Sequence, residues 1–143
     1  MDEIKIFQIS IDKINTVWNS VEEGISNVLD MYDSVMTLEQ IKQKLLDNKF
    51  WLIVVLKESK LIASLICSCE QYHNRKVLFV HIGFGVLFDE WKMPVIEFLK
   101  LGARKIGATE IEWRGRPGFA KAYRDIGKIK HVSITVPVET VYG

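Results

Sequence analysis

Cysteine, proline and histidine are all scarce in this 143-residue chain, which has two Cys, three Pro and three His. Two cysteines exclude a scaffold held together by several disulfides. Cys67 and Cys69 stand two apart on one strand face, so their Cβ vectors do not converge as a disulfide requires. Both read as reduced thiols in a cytoplasmic setting. No second pair of ligands stands near them, so no metal site is read there. The few prolines, with nine glycines, exclude a collagen-like rod and a low-complexity linker. No segment reaches the ~18 apolar residues of a membrane span. The longest apolar runs, Phe50–Leu56 and Leu61–Cys67, have strand length. Residues 1–10 carry acidic side chains and alternate polar with apolar, unlike a secretory signal. Neither sign of charge dominates: 19 Lys and Arg stand against 18 Asp and Glu, a formal +1. That balance gives no overall attraction to nucleic acid or membrane.

What is present is an ordinary globular composition, 48% apolar and 26% charged, sized for one domain over residues 1–143. Ile4–Ile11 alternates as a strand, and Asp12 reads as the N-cap of a helix carrying Ile14, Val17, Trp18, Val21, Ile25, Val28 and Leu29. Gly24 weakens the middle of that helix or marks its end. Thr37-Leu38-Glu39-Gln40 is a capping box opening a second helix, with Ile41, Leu45 and Leu46 on its apolar face. Phe50–Leu56, Leu61–Glu70 and Lys76–Gly85 then read as three strands joined by polar turns, an antiparallel meander. In the last of these, strict alternation puts Val77, Phe79, His81, Gly83 and Gly85 on one face, and Leu78, Val80, Ile82 and Phe84 on the other. Phe88–Gly107 is the clearest helix, with acidic residues in its first turn and basic ones in its last. A strand over Thr109–Trp113, a short helix over Pro117–Ile126 and an edge strand over Ile129–Val138 complete the chain. The order β-α-α-β-β-β-α-β-α-β predicts an α/β chain, a mixed sheet of the α+β kind with helices packed on it.

The charge is unevenly spread. Residues Lys100–Lys130 hold nine basic and three acidic side chains, a local +6, and the rest of the chain sums to −5. Arg114, Arg116, Lys121 and Arg124 are candidates to receive an anion, and their structural alternative is a solvated basic face.

This element order and length resemble the Gcn5-related N-acetyltransferase (GNAT) fold over essentially the whole chain. Locally, Arg116–Gly127 is similar to the family pattern Asn-x-x-Ala-x-x-x-Tyr-x-x-x-Gly. Tyr123 and Gly127 fall on its Tyr and Gly, while Arg116 and Phe119 replace its Asn and Ala. The wider string, from Trp91 through Ala103–Gly107 to Gly115–Phe119, looks like GNAT-like proteins of tailed bacteriophages.

The resemblance implies acetyl-CoA as cofactor and an amine acceptor, either a small molecule or a protein. It implies Tyr123 as the acid that protonates the leaving thiolate, a role a neutral phenol suits. His81 or Glu70 would be the base, and Gly85, Val86 and Leu87, with Arg116, would contact the cofactor. The family's phosphate loop, Arg/Gln-x-x-Gly-x-Gly/Ala, is not reproduced. Gly83 and Gly85 lie on the strand, and Asp89 and Glu90 follow where they would repel a pyrophosphate. Two functions therefore compete: an acetyltransferase, and a non-catalytic phage protein on the same scaffold. The latter would be a virion component or an inhibitor of a host factor, docking to a protein partner or to itself. A nucleic-acid binder is the least favoured, because no recognition motif accompanies the basic segment.

Overall fold

The computed structural model describes residues 3–31, 36–113, 123 and 127. Five strands form one sheet in the order β1-β2-β3-β4-β5: β1 is Ile4–Gln8, β2 Trp51–Lys57, β3 Lys60–Gln71, β4 Lys76–Gly85 and β5 Glu110–Trp113. The first three pairings are antiparallel and β4–β5 is parallel, joined by a helical crossover. The sheet is therefore mixed, as predicted. The predicted elements Pro117–Ile126 and Ile129–Val138 lie outside the described residues, apart from Tyr123. The Gly127 amide donates to the Tyr123 carbonyl at 3.0 Å, an i to i+4 bond of helical type.

The first strand stops at Gln8, short of the predicted Ile11. Ser10, not Asp12, caps a 3-10 turn over Ile11–Lys13 that feeds α1, Ile14–Met31. Gly24 neither ends nor interrupts α1. A Cβ there would sit 2.0 Å from the Phe84 ring, so the missing side chain is what lets α1 lie against β4. α2, Leu38–Leu46, opens on the predicted capping box: Thr37 accepts from the Gln40 amide at 3.2 Å, and Gln40 Oε1 accepts from the Thr37 amide at 2.8 Å. α3, Phe88–Ile106, ends on Gly107, whose φ of +76° is the left-handed cap that glycine tolerates.

The helices cover both faces. Ile14, Trp18, Val21 and Ile25 of α1 and Ile41 and Leu45 of α2 pack on Leu52, Val54, Ile66 and Ile82. Trp91, Val95, Leu99 and Ala103 of α3 recur every four residues and pack on Ile53, Val55, Leu65, Cys67, Leu78 and Val80. Burial of each Ile, Leu or Val contributes about 1.5–3 kcal/mol.

Two bulges break the ladder. Val55 faces Ala63 but Leu56 faces Leu61, which leaves Ile62 extra in β3. Ile66 faces Ile82 but Cys67 faces Val80, which leaves His81 extra in β4. The second bulge corrects the predicted alternation. Leu78 and Val80 face α3, whereas Ile82 and Phe84, beyond the bulge, face α1 and α2. At the other end of the sheet, Tyr72 donates to Glu112 Oε2 at 2.9 Å and Arg75 to Glu112 Oε1 at 3.1 Å. These bonds tie the β3–β4 turn to β5.

Candidate active site

The β4 bulge places the candidate base. Parallel pairing with β5 runs from Val77–Glu110 to Val80–Trp113 and, among the described residues, stops where His81 begins. Ser68 and Glu70 share the α1/α2 face of β3, because side chains two apart on a strand point the same way. Ser68 is paired with Phe79, which makes His81 its diagonal neighbour on the adjoining strand.

The result is a compact polar group. Ser68 Oγ lies 2.6 Å from His81 Nε2 and donates to Glu70 Oε1 at 2.7 Å. Glu70 Oε1 is 3.8 Å from His81 Nε2. Two aromatic rings hold the imidazole plane: Phe50 is stacked on it at 4.6 Å, and Phe79 is tilted against it at 4.6 Å. Ser68 is buried, whereas Glu70 and His81 keep access to solvent. The structure therefore brings together two predicted residues, His81 and Glu70, and adds Ser68. The spacing Ser68-x-Glu70 was the available signal for Ser68.

Tyr123 and the Gly85–Leu87 segment meet at the start of α3. Gly85 is required there: its φ is +156°, and a Cβ would come within 2.4 Å of the Ile62 carbonyl oxygen. The same carbonyl, on the β3 bulge, accepts from the Val86 amide at 2.8 Å. Trp91 Nε1 donates to the Val86 carbonyl at 2.8 Å. Leu87 caps α3 in a left-handed conformation with no side-chain hydrogen bond, and the Val86 and Leu87 side chains are exposed. Glu90, expected to repel an anion, is bound instead by Lys57 Nζ at 2.5 Å. Asp89 keeps the unfavourable sign. With no side chain capping it and Glu90 neutralised, this helix start fits an anion better than its sequence suggested.

The Tyr123 ring stands edge-on to Phe88 at 5.7 Å and tilted against Trp113 at 5.4 Å, and Phe88 in turn meets Trp91 at 4.7 Å. Lys92 Nζ is 5.7 Å from the centre of the Tyr123 ring, and the Tyr123 hydroxyl donates to the Lys92 carbonyl at 3.3 Å. Burial pushes the phenol above its ordinary range, so it stays protonated. The Trp113 ring crosses Gly83, 3.0 Å from where a Cβ would stand. Arg116 lies outside the described residues.

Among the described residues, no three His, Cys, Asp or Glu side chains are grouped to hold a metal ion. None of the described helices is long and apolar enough to cross a membrane. A surface cavity of about 300 Å³ is lined by Asn19, Glu22, Glu23, Ser26, Asn27 and Leu38, and none of the residues above lines it.

No family model matches the sequence, and no curated protein matches it. Solved structures do match. One is an aminoglycoside acetyltransferase from an uncultured soil metagenomic sample, in complex with sisomicin. It has a TM-score of 0.67 at 15% identity, covering 95% of this chain and 97% of that one. A predicted acetyltransferase with acetyl-CoA from Clostridium acetobutylicum has a TM-score of 0.66 at 8% identity, with 96% of each chain covered. Glucosamine-6-phosphate N-acetyltransferase from Arabidopsis thaliana has a TM-score of 0.64 at 14% identity, covering 96% of this chain and 99% of that one. The fold is that of the GNAT-type acetyltransferases.

Proposed function

We propose that this chain is an acyltransferase that moves an acetyl group from acetyl-CoA to a primary amine. The observation that carries the reading is the Ser68–His81–Glu70 group, set at the β4 bulge with His81 and Glu70 open to solvent. A solvent-accessible proton acceptor suits a reaction in which an amine must shed a proton as it attacks a carbonyl. The full-length likeness to acetyltransferases, one of them with acetyl-CoA, supports the same reading.

Acetyl-CoA supplies the thioester. The start of α3 around Leu87, with Arg116, would hold its phosphates. His81 takes the proton that the amine loses as its nitrogen bonds the acetyl carbon, and Tyr123 returns a proton to the departing sulfur. Glu70 faces the imidazolium so formed and offsets its charge.

A second reading, a non-catalytic protein on this scaffold, is favoured by one observation. The rings of Trp113, Tyr123, Phe88 and Trp91 form a continuous aromatic row beside the start of α3, and Trp113 crosses Gly83. Such a row narrows the space available to a cofactor chain. Calorimetric titration with acetyl-CoA separates the two. Saturable heat, with thiol release when amines are added, is expected of the transferase. No heat at high ligand concentration removes it and leaves the scaffold reading.

A further inference from the structure

We propose that the outer edge of β1 is an interface between two copies of this chain, which pair antiparallel about Ile6 and join their sheets into one. β1 stands at the edge of the sheet, with β2 on one side only. The Ile9 amide donates to the Leu52 carbonyl at 2.8 Å, one step beyond the Gln8–Ile53 pair. Hydrogen-bonded and non-hydrogen-bonded pairs alternate along an antiparallel ladder. Lys5, Phe7 and Ile9 therefore turn their backbone groups toward β2, and Ile4, Ile6 and Gln8 turn theirs out of the sheet. Among the described residues nothing pairs with those outward groups. A bare edge of this kind is a template for another strand.

The strand is complementary to itself. A twofold axis at Ile6 sets Ile6 against the partner's Ile6, and Ile4 against the partner's Gln8. Every outward N–H and C=O of β1 then has a partner. The side chains agree with this register. Ile4 and Ile6 pack on the α3 face, so Lys5 and Phe7 stand on the other. Both are exposed, Phe7 by 47%. Lys5 comes to lie opposite the partner's Phe7 on each side of the axis, with Cβ atoms about 4.5–5.5 Å apart. An ammonium reaches a ring face from there, as Lys44 Nζ does within the chain, 5.2 Å from the centre of the Phe50 ring. Other registers fit worse. Centring on Lys5 opposes two ammonium groups. Centring on Phe7 or Gln8 sets Ile4 or Ile6 against Ser10, whose carbonyl already accepts from Lys13. Centring on Ile4 leaves Phe7 and Gln8 beyond the partner's β1. The pairing is independent of either reading of function.

The test is sedimentation velocity of the full chain between about 1 and 300 µM, where a reversible dimer is expected. Phe7→Lys puts like charges opposite each other and is expected to weaken dimerisation at least about tenfold. Phe7→Glu loses the same ring but faces the partner's Lys5, so it is expected to keep or tighten the dimer. Lys5→Glu combined with Phe7→Lys exchanges the charges and is expected to restore what Phe7→Lys alone removes. Far-UV circular dichroism and thermal unfolding confirm that each variant is folded. A native chain that stays monomeric across the range overturns the proposal. So does a dimer on which Phe7→Lys and Phe7→Glu act alike, because the contact would then lie on another surface.

Discussion

Tyr123 and Cys67 are both pushed by burial toward their neutral forms, and the consequences differ because one faces a candidate site and the other a core. The Tyr123 hydroxyl keeps its proton through the working range, as an acid must. Tyr123→Phe is expected to lower kcat by about 10²-fold while calorimetry shows acetyl-CoA still binding. An unchanged kcat would assign the ring to packing among Phe88 and Trp113. The Cys67 thiol is pushed up to about 12 and packs against α3. Its folded-state value is raised, so its contribution to stability is complete below pH 9 and declines as the unfolded thiol ionises between pH 9 and 12. An aromatic disulfide reagent at pH 8 is expected to react with Cys69, which is half-buried, and to reach Cys67 only after unfolding. Two thiols reacting equally fast in the native state would contradict this. Ser68 shows what sequence can reveal at this scale. Its place beside Glu70 follows from the two-residue period of a strand. Its contact with His81 depends on a register that no local pattern encodes.

The elements themselves follow closely from local chemistry. The Thr37 capping box, the apolar stripe of α3 with its Gly107 cap and the limits of β4 all match their sequence signals. Features that depend on partners were hidden. The His81 bulge arises from mismatched spacing between β3 and β4, and it reverses which side chains of β4 meet α1 and which meet α3. The β2–β3 turn carries Glu58 and Ser59 at positive φ, without the Asn-Gly that would have announced it. Gly24 is the clearest case, because its sequence reading as a weak point is the reverse of its use. In an exposed helix, Gly24→Ala would stabilise by about 1 kcal/mol. Here the added methyl meets the Phe84 ring, so a net loss of about 1–3 kcal/mol is expected from denaturant unfolding. In the Phe84→Leu background the loss is expected to shrink, since the ring that the methyl would strike is gone. A stabilised Gly24→Ala protein would mean that α1 does not lie this close to β4.

For the whole molecule, the near-zero net charge conceals a division, with +6 in residues 100–130 against −5 in the remainder. Part of this charge is paired internally: Lys57 holds Glu90 within the acidic remainder, while Arg75 of that remainder holds Glu110 and Glu112, two of the three acidic side chains of the basic segment. The ion pair at Glu90 lies in the first turn of α3, where it removes one of the two charges that would oppose a phosphate. Acetyl-CoA carries a pyrophosphate and a further phosphate, so the basic segment should attract it at long range, and added salt should screen that attraction. Between about 0.05 and 0.5 M salt its affinity is expected to fall roughly tenfold, and Arg116→Ala should weaken binding and flatten that dependence. Steep salt dependence that Arg116→Ala leaves untouched would place the phosphate contacts on other basic residues. A binding isotherm indifferent to salt would assign the affinity to the apolar and backbone surface around Val86 and Leu87. The basic segment would then be left for the protein partner that the scaffold reading requires.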